Sequence, residues 1–149
     1  MVYNYISFVN MLVKEVMTKN PITINKEMSV YEAAMIYKTN KIGCLIILED
    51  SKCIGILTER DIIERTICDK KSAENTEVKD IMTKKIITIH NLENLDKAID
   101  LMISNNIKKL PVTHNNQIIG IITATDISRA RPDLSTRFIE SWVKPIWND

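Results

Sequence analysis

Two stretches decide how this chain is organised: Gly55-Ile56-Leu57-Thr58-Glu59-Arg60-Asp61-Ile62 and, 65 residues later, Gly120-Ile121-Ile122-Thr123-Ala124-Thr125-Asp126-Ile127. Each reads as a buried strand that runs through a glycine into a T-x-x-D helix start. The likeness spreads outward from there. Val16-Met17-Thr18-Lys19 returns as Ile81-Met82-Thr83-Lys84, and Ile22-Thr23-Ile24 returns as Ile87-Thr88-Ile89. Laying Lys14–Arg65 on Lys79–Ala130 without a gap gives 17 identities in 52 positions, where ordinary composition gives roughly three by chance. The chain is an internal repeat.

Each copy predicts a β-α-β-β-α unit. A short strand (Ile22–Ile24; Ile87–Ile89) leads to a helix with apolar positions Val30, Ala33, Ala34 and Tyr37, mirrored by Leu95, Ala98, Ile99 and Met102. That i, i+3, i+4, i+7 spacing marks one buried face. Ser29 with Glu32 is a capping box at its start, and Asn94 is the equivalent cap. Two strands follow, Ile42–Leu48 and Cys53–Leu57, then Ile107–Thr113 and Gln117–Ile122 in the second copy, with turn-prone residues between them. The expected organisation is an N-terminal extension (1–13), repeat 1 (14–69), a linker (70–78), repeat 2 (79–130) and a C-terminal extension (131–149). A unit this small buries too little surface alone. The fold expected is therefore α/β, with two repeats packed about a pseudo-twofold axis and two related clefts.

Composition bounds the function. The 149 residues are 45% hydrophobic, and 20 basic against 19 acidic side chains leave a net charge of +1, which gives no support to a whole-surface nucleic-acid or membrane partner. The apolar runs are far shorter than the ~20 residues that span a bilayer. The opening MVYNYISFVNMLV lacks a basic segment and is broken by Asn4, Ser7 and Asn10, which argues against a signal peptide. Cys44, Cys53 and Cys68 fit no metal spacing and read as reduced thiols in a cytoplasm. The three glycines, Gly43, Gly55 and Gly120, cannot write a Rossmann fingerprint or a P-loop. No nucleophile–base pair or metal cluster is legible, so no enzyme and no catalytic cofactor are expected.

The pattern resembles the cystathionine-β-synthase (CBS) domain pair. The resemblance is carried by VMT…PITI and IMT…IITI, by NKIGCLII and NNIKKLPV, and by GILTERDI and GIITATDI. It implies a regulatory module for adenine nucleotides, commonly a homodimer, acting through an effector protein. The T-x-x-D motif taken alone is fully consistent with a plain capping box. The same geometry also offers free N–H groups to a phosphate, and a carboxylate that can accept both hydroxyls of a ribose.

By resemblance, Thr58, Arg60 and Asp61 form a first site with Met82, Ile86, Ile87, Ile107, Lys108, Lys109 and Pro111. A second site holds Thr123, Thr125 and Asp126 with Met17, Pro21, Ile22 and the Ile42–Ile46 segment, including Gly43 and Cys44. Core packing accounts for the apolar members equally well. Where the second copy has Pro111 the first has Ile46, a departure from the family pattern. Arg60, Lys108 and Lys109 have Thr125, Gly43 and Cys44 as counterparts. Charge therefore favours the Thr58 site as the tighter of the two. Trp142, Val143, Ile146 and Trp147 read either as a helix folded onto its own core or as an interface, with the interface preferred. The alternatives are a ligand-free dimerisation module, or a pair that takes S-adenosylmethionine or nucleic acid.

Overall fold

A computed structural model describes residues 10–143. The chain divides into two compact units: residues 21–86, and an outer unit assembled from the segment up to Asn20 and the segment from Ile87 onward. These units are out of phase with the repeats. Residues 10–20 belong by sequence to the first repeat and its approach, yet they complete the unit built from the second.

In the outer unit, helix α1 (Val13–Val16) and strand β1 (Thr18–Lys19) come from that leading segment. They join β5 (Ile89–His90), α5 (Leu95–Ser104), β6 (Lys109–His114), β7 (Gln117–Thr123), α6 (Ala124–Ala130) and α7 (Ser135–Trp142). The sheet order is β1-β7-β6-β5; β1 runs antiparallel to β7 with Thr18 opposite Ile121, and β5 runs parallel to β6. In the inner unit, β2 (Thr23–Ile24), α2 (Val30–Asn40), β3 (Leu45–Glu49), β4 (Lys52–Leu57) and α3 (Glu59–Ile62) precede α4 (Val78–Ile81). Its sheet order is β2-β3-β4. A single antiparallel bridge, Ile56 to Thr83, stands where β1 meets β7 in the other unit.

The helix faces follow their apolar spacing. Leu95, Ala98, Ile99 and Met102 of α5 are buried around Leu110, Val112 and Ile122. In α2, Val30 and Ala33 are buried and Tyr37 is partly covered, packing on the core as Ile36 does, while Ala34, expected on the same face, is only half-buried and lies outside the core cluster. Ser29 and Glu32 form the expected capping box, and Asn94 accepts from the Lys97 amide. Both hairpins turn through two residues of positive φ, Asp50-Ser51 and Asn115-Asn116, the torsions of a type I′ turn that suits twisted strands.

Three local expectations change. The first strands are two residues each: Thr23–Ile24 shortens the expected run, and Ile89–His90 starts two residues later than expected and extends one residue past it. The central strands start later, at Leu45 and Lys109. After α3 the chain widens into a π-helical turn, Ile63–Ile67, closed by the Cys68 amide donating to the Ile63 carbonyl at 2.9 Å. The described part of the C-terminal extension folds onto its own unit as α7. Phe138 is buried in the core and Trp142 stacks on it at 4.7 Å. Arg137 binds Asp96 and Asp100 of α5 at 2.9 and 2.6 Å. Ile146 and Trp147 lie outside the described residues, as do Met1–Val9.

Gly55 and Gly120 are fixed by close approach. A Cβ on Gly55 would sit 2.4 Å from the Met82 sulfur, and one on Gly120 would sit 2.7 Å from the Met17 sulfur and 2.8 Å from the Thr18 carbonyl oxygen. A flexible thioether can withdraw, but a paired backbone carbonyl cannot. Gly120→Ala is therefore expected to destabilise by about 2 kcal/mol and Gly55→Ala by about half as much. Urea unfolding of both variants checks the order, and a larger loss at Gly55 would contradict it.

Candidate functional site

The two T-x-x-D turns are built alike. Thr58 caps α3, its hydroxyl accepting from the Asp61 amide, and Asp61 Oδ2 in return accepts from the Thr58 amide and hydroxyl, both at 2.8 Å. Thr123 and Asp126 repeat this at the start of α6, with 2.9 and 2.7 Å. Both T-x-x-D motifs are thus complete capping boxes. Each also presents a carboxylate at a strand exit, set by a strand that must pass over a methionine.

Beyond the cap the turns differ. Asp61 is buried, 8% exposed, and its other oxygen, Oδ1, accepts from the Thr83 hydroxyl at 3.3 Å and pairs with Arg65 Nη1 at 3.3 Å. Arg65 is itself anchored by donating to the Ile81 carbonyl at 2.7 Å and to the Thr83 hydroxyl at 3.3 Å. The strand end just before Thr58 is held as well, because the Tyr37 hydroxyl donates to the Leu57 carbonyl. Burial pushes the Tyr37 phenol well above its ordinary range. In the other turn, Asp126 is only partly buried and its Oδ1 has no hydrogen-bond or ion-pair partner among the described residues. The counterparts of Arg65 and Tyr37 are Ala130 and Met102.

The residues assigned to the Thr58 site divide between the units. Thr58, Arg60, Asp61, Met82 and Ile86 belong to the inner one, and Ile87, Ile107, Lys108, Lys109 and Pro111 to the outer. For the Thr123 site, Thr123, Thr125, Asp126 and Met17 are outer, while Pro21, Ile22, Ile42, Gly43, Cys44 and Ile46 are inner. Within each unit several assigned residues have structural duties. Met82 and Met17 pack on Gly55 and Gly120. The Ile22 carbonyl accepts from the Ile46 amide at 3.1 Å. Pro111 and Cys44 are buried, and Gly43 and Thr125 are exposed.

The cations are less available than their count suggests. Arg60 Nε donates to Glu64 at 2.6 Å, and that hydrogen bond holds the guanidinium above its ordinary pKa. The Lys108 ammonium lies 5.4 Å from the centre of the Trp142 ring, within cation–π range. The Lys108 carbonyl accepts from Ala124 at 2.9 Å, which ties β6 to the start of α6. Sequence reading missed Arg65 altogether. Its only trace was Arg65 opposite Ala130 at the end of the repeat alignment.

The CBS domain family matches the chain twice, over residues 13–67 and 78–133. The chain belongs to the CBS-domain family. Among curated relatives of this CBS pair, protein MJ1225 of Methanocaldococcus jannaschii is 32% identical over 124 residues, covering 83% of this chain and 44% of that protein. The L-aspartate semialdehyde sulfurtransferase of the same organism is 38% identical over 120 residues, covering 79% and 23%. The CBS pair thus spans less than half the length of these two relatives. Among solved structures, the CBS domain pair of protein MJ0100, in complex with 5′-methylthioadenosine and S-adenosyl-L-methionine, superposes with a TM-score of 0.73 at 35% identity. It covers 83% of this chain and 98% of that one. No helix among the described residues is long and apolar enough to cross a membrane.

The partners of each carboxylate set its structural weight. Removing Asp61 strips a cap and an ion pair and leaves the Thr83 hydroxyl without its acceptor, whereas removing Asp126 strips a cap only. Asp61→Ala should cost about 2 kcal/mol and Asp126→Ala about 1 kcal/mol. Thermal and urea unfolding of the two variants, run side by side, would reveal equal losses if this partition were wrong.

Proposed function

We propose that this CBS pair is a non-catalytic sensor of adenosine-type ligands, bound at its T-x-x-D turns and reporting their level to a partner protein. The observation that carries this reading is the Thr123–Asp126 turn. There a hydroxyl, backbone amides and a carboxylate with open acceptor capacity meet at the end of a strand. An acceptor-only oxygen suits a pair of ribose hydroxyls. The 35% identical pair solved with 5′-methylthioadenosine and S-adenosyl-L-methionine supports an adenosine core as the common element.

Adenine nucleotides (AMP, ADP, ATP) are one arm of this reading. The engagement of Arg60 by Glu64 and of Lys108 by Trp142 favours a second arm. With these cations committed, a ligand without phosphates, such as a thioether or sulfonium of adenosine, loses less relative to a phosphorylated one. Calorimetry with AMP, ADP, ATP, S-adenosylmethionine and 5′-methylthioadenosine separates the arms. Saturable binding of at least one compound, lost in the Asp61→Ala/Asp126→Ala double variant, is expected. No binding by any of the five would leave the ligand-free dimerisation module as the better account.

The chain is further proposed to work as a homodimer through its helix faces. Tyr31 and Met35 of α2, one helical turn apart, are 50% and 40% exposed, and Ile63 and Ile67 at the π-helical turn are 52% and 66% exposed. Paired apolar side chains of this kind are what an isologous contact covers. Trp142 contributes little to such a contact, since its ring is spent on Phe138 and Lys108. Light scattering should give twice the chain mass, and Ile63→Asp with Ile67→Asp should shift it toward the monomer. A wild-type monomer at every concentration would remove the proposal.

A further inference from the structure

Resting on the reading of T-x-x-D turns as ribose-binding, we infer that Arg65 is a specificity-determining positioning residue. It locks the Asp61 carboxylate, so that Asp126 alone reads the ribose diol.

The argument is one of acceptor capacity. A carboxylate has two oxygens and about four lone-pair sites. At Asp61 little is left open: Oδ2 accepts from the Thr58 amide and hydroxyl at 2.8 Å each, and Oδ1 accepts from the Thr83 hydroxyl at 3.3 Å with the Arg65 guanidinium paired to it as an ion at 3.3 Å. At Asp126 the cap takes two sites on Oδ2, and Oδ1 keeps two with no partner among the described residues. Two open sites on one oxygen match the two hydroxyls of a cis-diol. A diol arriving at Asp61 must instead displace a guanidinium and a hydroxyl already in place.

The lock is held from outside the motif. Arg65 stands four residues after Asp61, in the π-helical turn, and its second anchor is the Ile81 carbonyl of α4. Thr83 accepts from Arg65 and donates to Asp61, so the three side chains close a triangle of contacts. In the outer unit the threonine is present as Thr18, but no described contact joins it to Asp126. Position 130 is alanine, which has nothing to bridge the two. The side chain that makes the lock is therefore Arg65, whose counterpart is Ala130, and the π-helical turn that carries it has a regular helix as its counterpart. This reverses the order suggested by charge alone, which placed the stronger site at Thr58.

The test measures ribose discrimination by calorimetry on the full chain, using AMP and 5′-methylthioadenosine, each against its 2′-deoxy form. Wild type should bind the 2′-deoxy form of whichever compound binds at least tenfold more weakly. Asp126→Asn should erase that ratio and Asp61→Asn should keep it. Arg65→Ala should add a second discriminating site per chain, whereas Arg65→Lys, which keeps a cation beside Asp61, should behave as wild type. Ala130→Arg, which leaves the inner unit untouched, should abolish discrimination at Asp126. The lock is overturned if Asp61→Asn erases the ratio while Asp126→Asn keeps it, or if folded Arg65→Ala and Ala130→Arg both match wild type. Absence of any binding would sink the ribose-turn reading and the lock with it, whereas binding with the wrong residue dependence would sink the lock alone.

Discussion

In each unit a methionine side chain lies against the bare α-carbon of a strand glycine, and much of the architecture follows from that contact. It brings the Met-Thr dipeptide of a leading segment onto the sheet edge, where Thr18 pairs with Ile121 and Thr83 bridges Ile56. Without a glycine the strand could not pass so close, and the edge would stand open with unpaired amides and carbonyls. The contact also fixes where the strand ends. Two residues beyond the bridged residue, at Thr58 and Thr123, the T-x-x-D turn begins.

The same turn can serve as a structural cap or as a reader of a ligand, and the deciding variable is how much of the carboxylate is left over. A capping box uses one carboxylate oxygen. Whatever neighbours do with the other oxygen determines whether the turn is chemically finished. Around Asp61 the polar neighbours are Arg65 of the π-helical turn, itself held by the Ile81 carbonyl at the end of α4, and Thr83, two residues beyond that helix. Around Asp126 the corresponding helix is regular, and it ends at Ala130. Two copies that repeat the same capping hydrogen bonds have thus diverged in what the second carboxylate oxygen meets.

Much of this was legible in the residues. The repeat, the helix faces, the capping boxes, both hairpin turns and the T-x-x-D geometry follow from local spacing and turn chemistry, which act over a few residues. The pairing of Thr18 with the sheet of the second repeat was not legible, because a repeat alignment shows what recurs and is silent on which copy a segment packs against. The Arg65 lock was hidden for a related reason. It depends on a widened turn that no helix propensity marks, and on a carbonyl, that of Ile81, whose position only the fold reveals. Charge counting gave weight to Arg60 and Lys108, whose ion pair and ring contact lie in side-chain geometry. Trp142 read preferably as an interface aromatic because such side chains are enriched at interfaces. The salt bridges of Arg137 to Asp96 and Asp100 turn α7 inward.

The two crossings of the chain, between Asn20 and Pro21 and between Ile86 and Ile87, make residues 21–86 an insertion within a discontinuous outer unit. Its ends are fastened to β1 and β5, the opposite edges of one four-stranded sheet, which at ordinary strand spacing lie about 14 Å apart. While the outer unit stays folded, an unfolded inner segment is a closed loop rather than a free chain. By loop-closure entropy, restraining 66 residues in this way is worth roughly 3–4 kcal/mol. The outer unit therefore acts on the inner one much as a disulfide would, by narrowing the denatured ensemble. It confers cooperativity through topology alone, with no bond that a reductant could break.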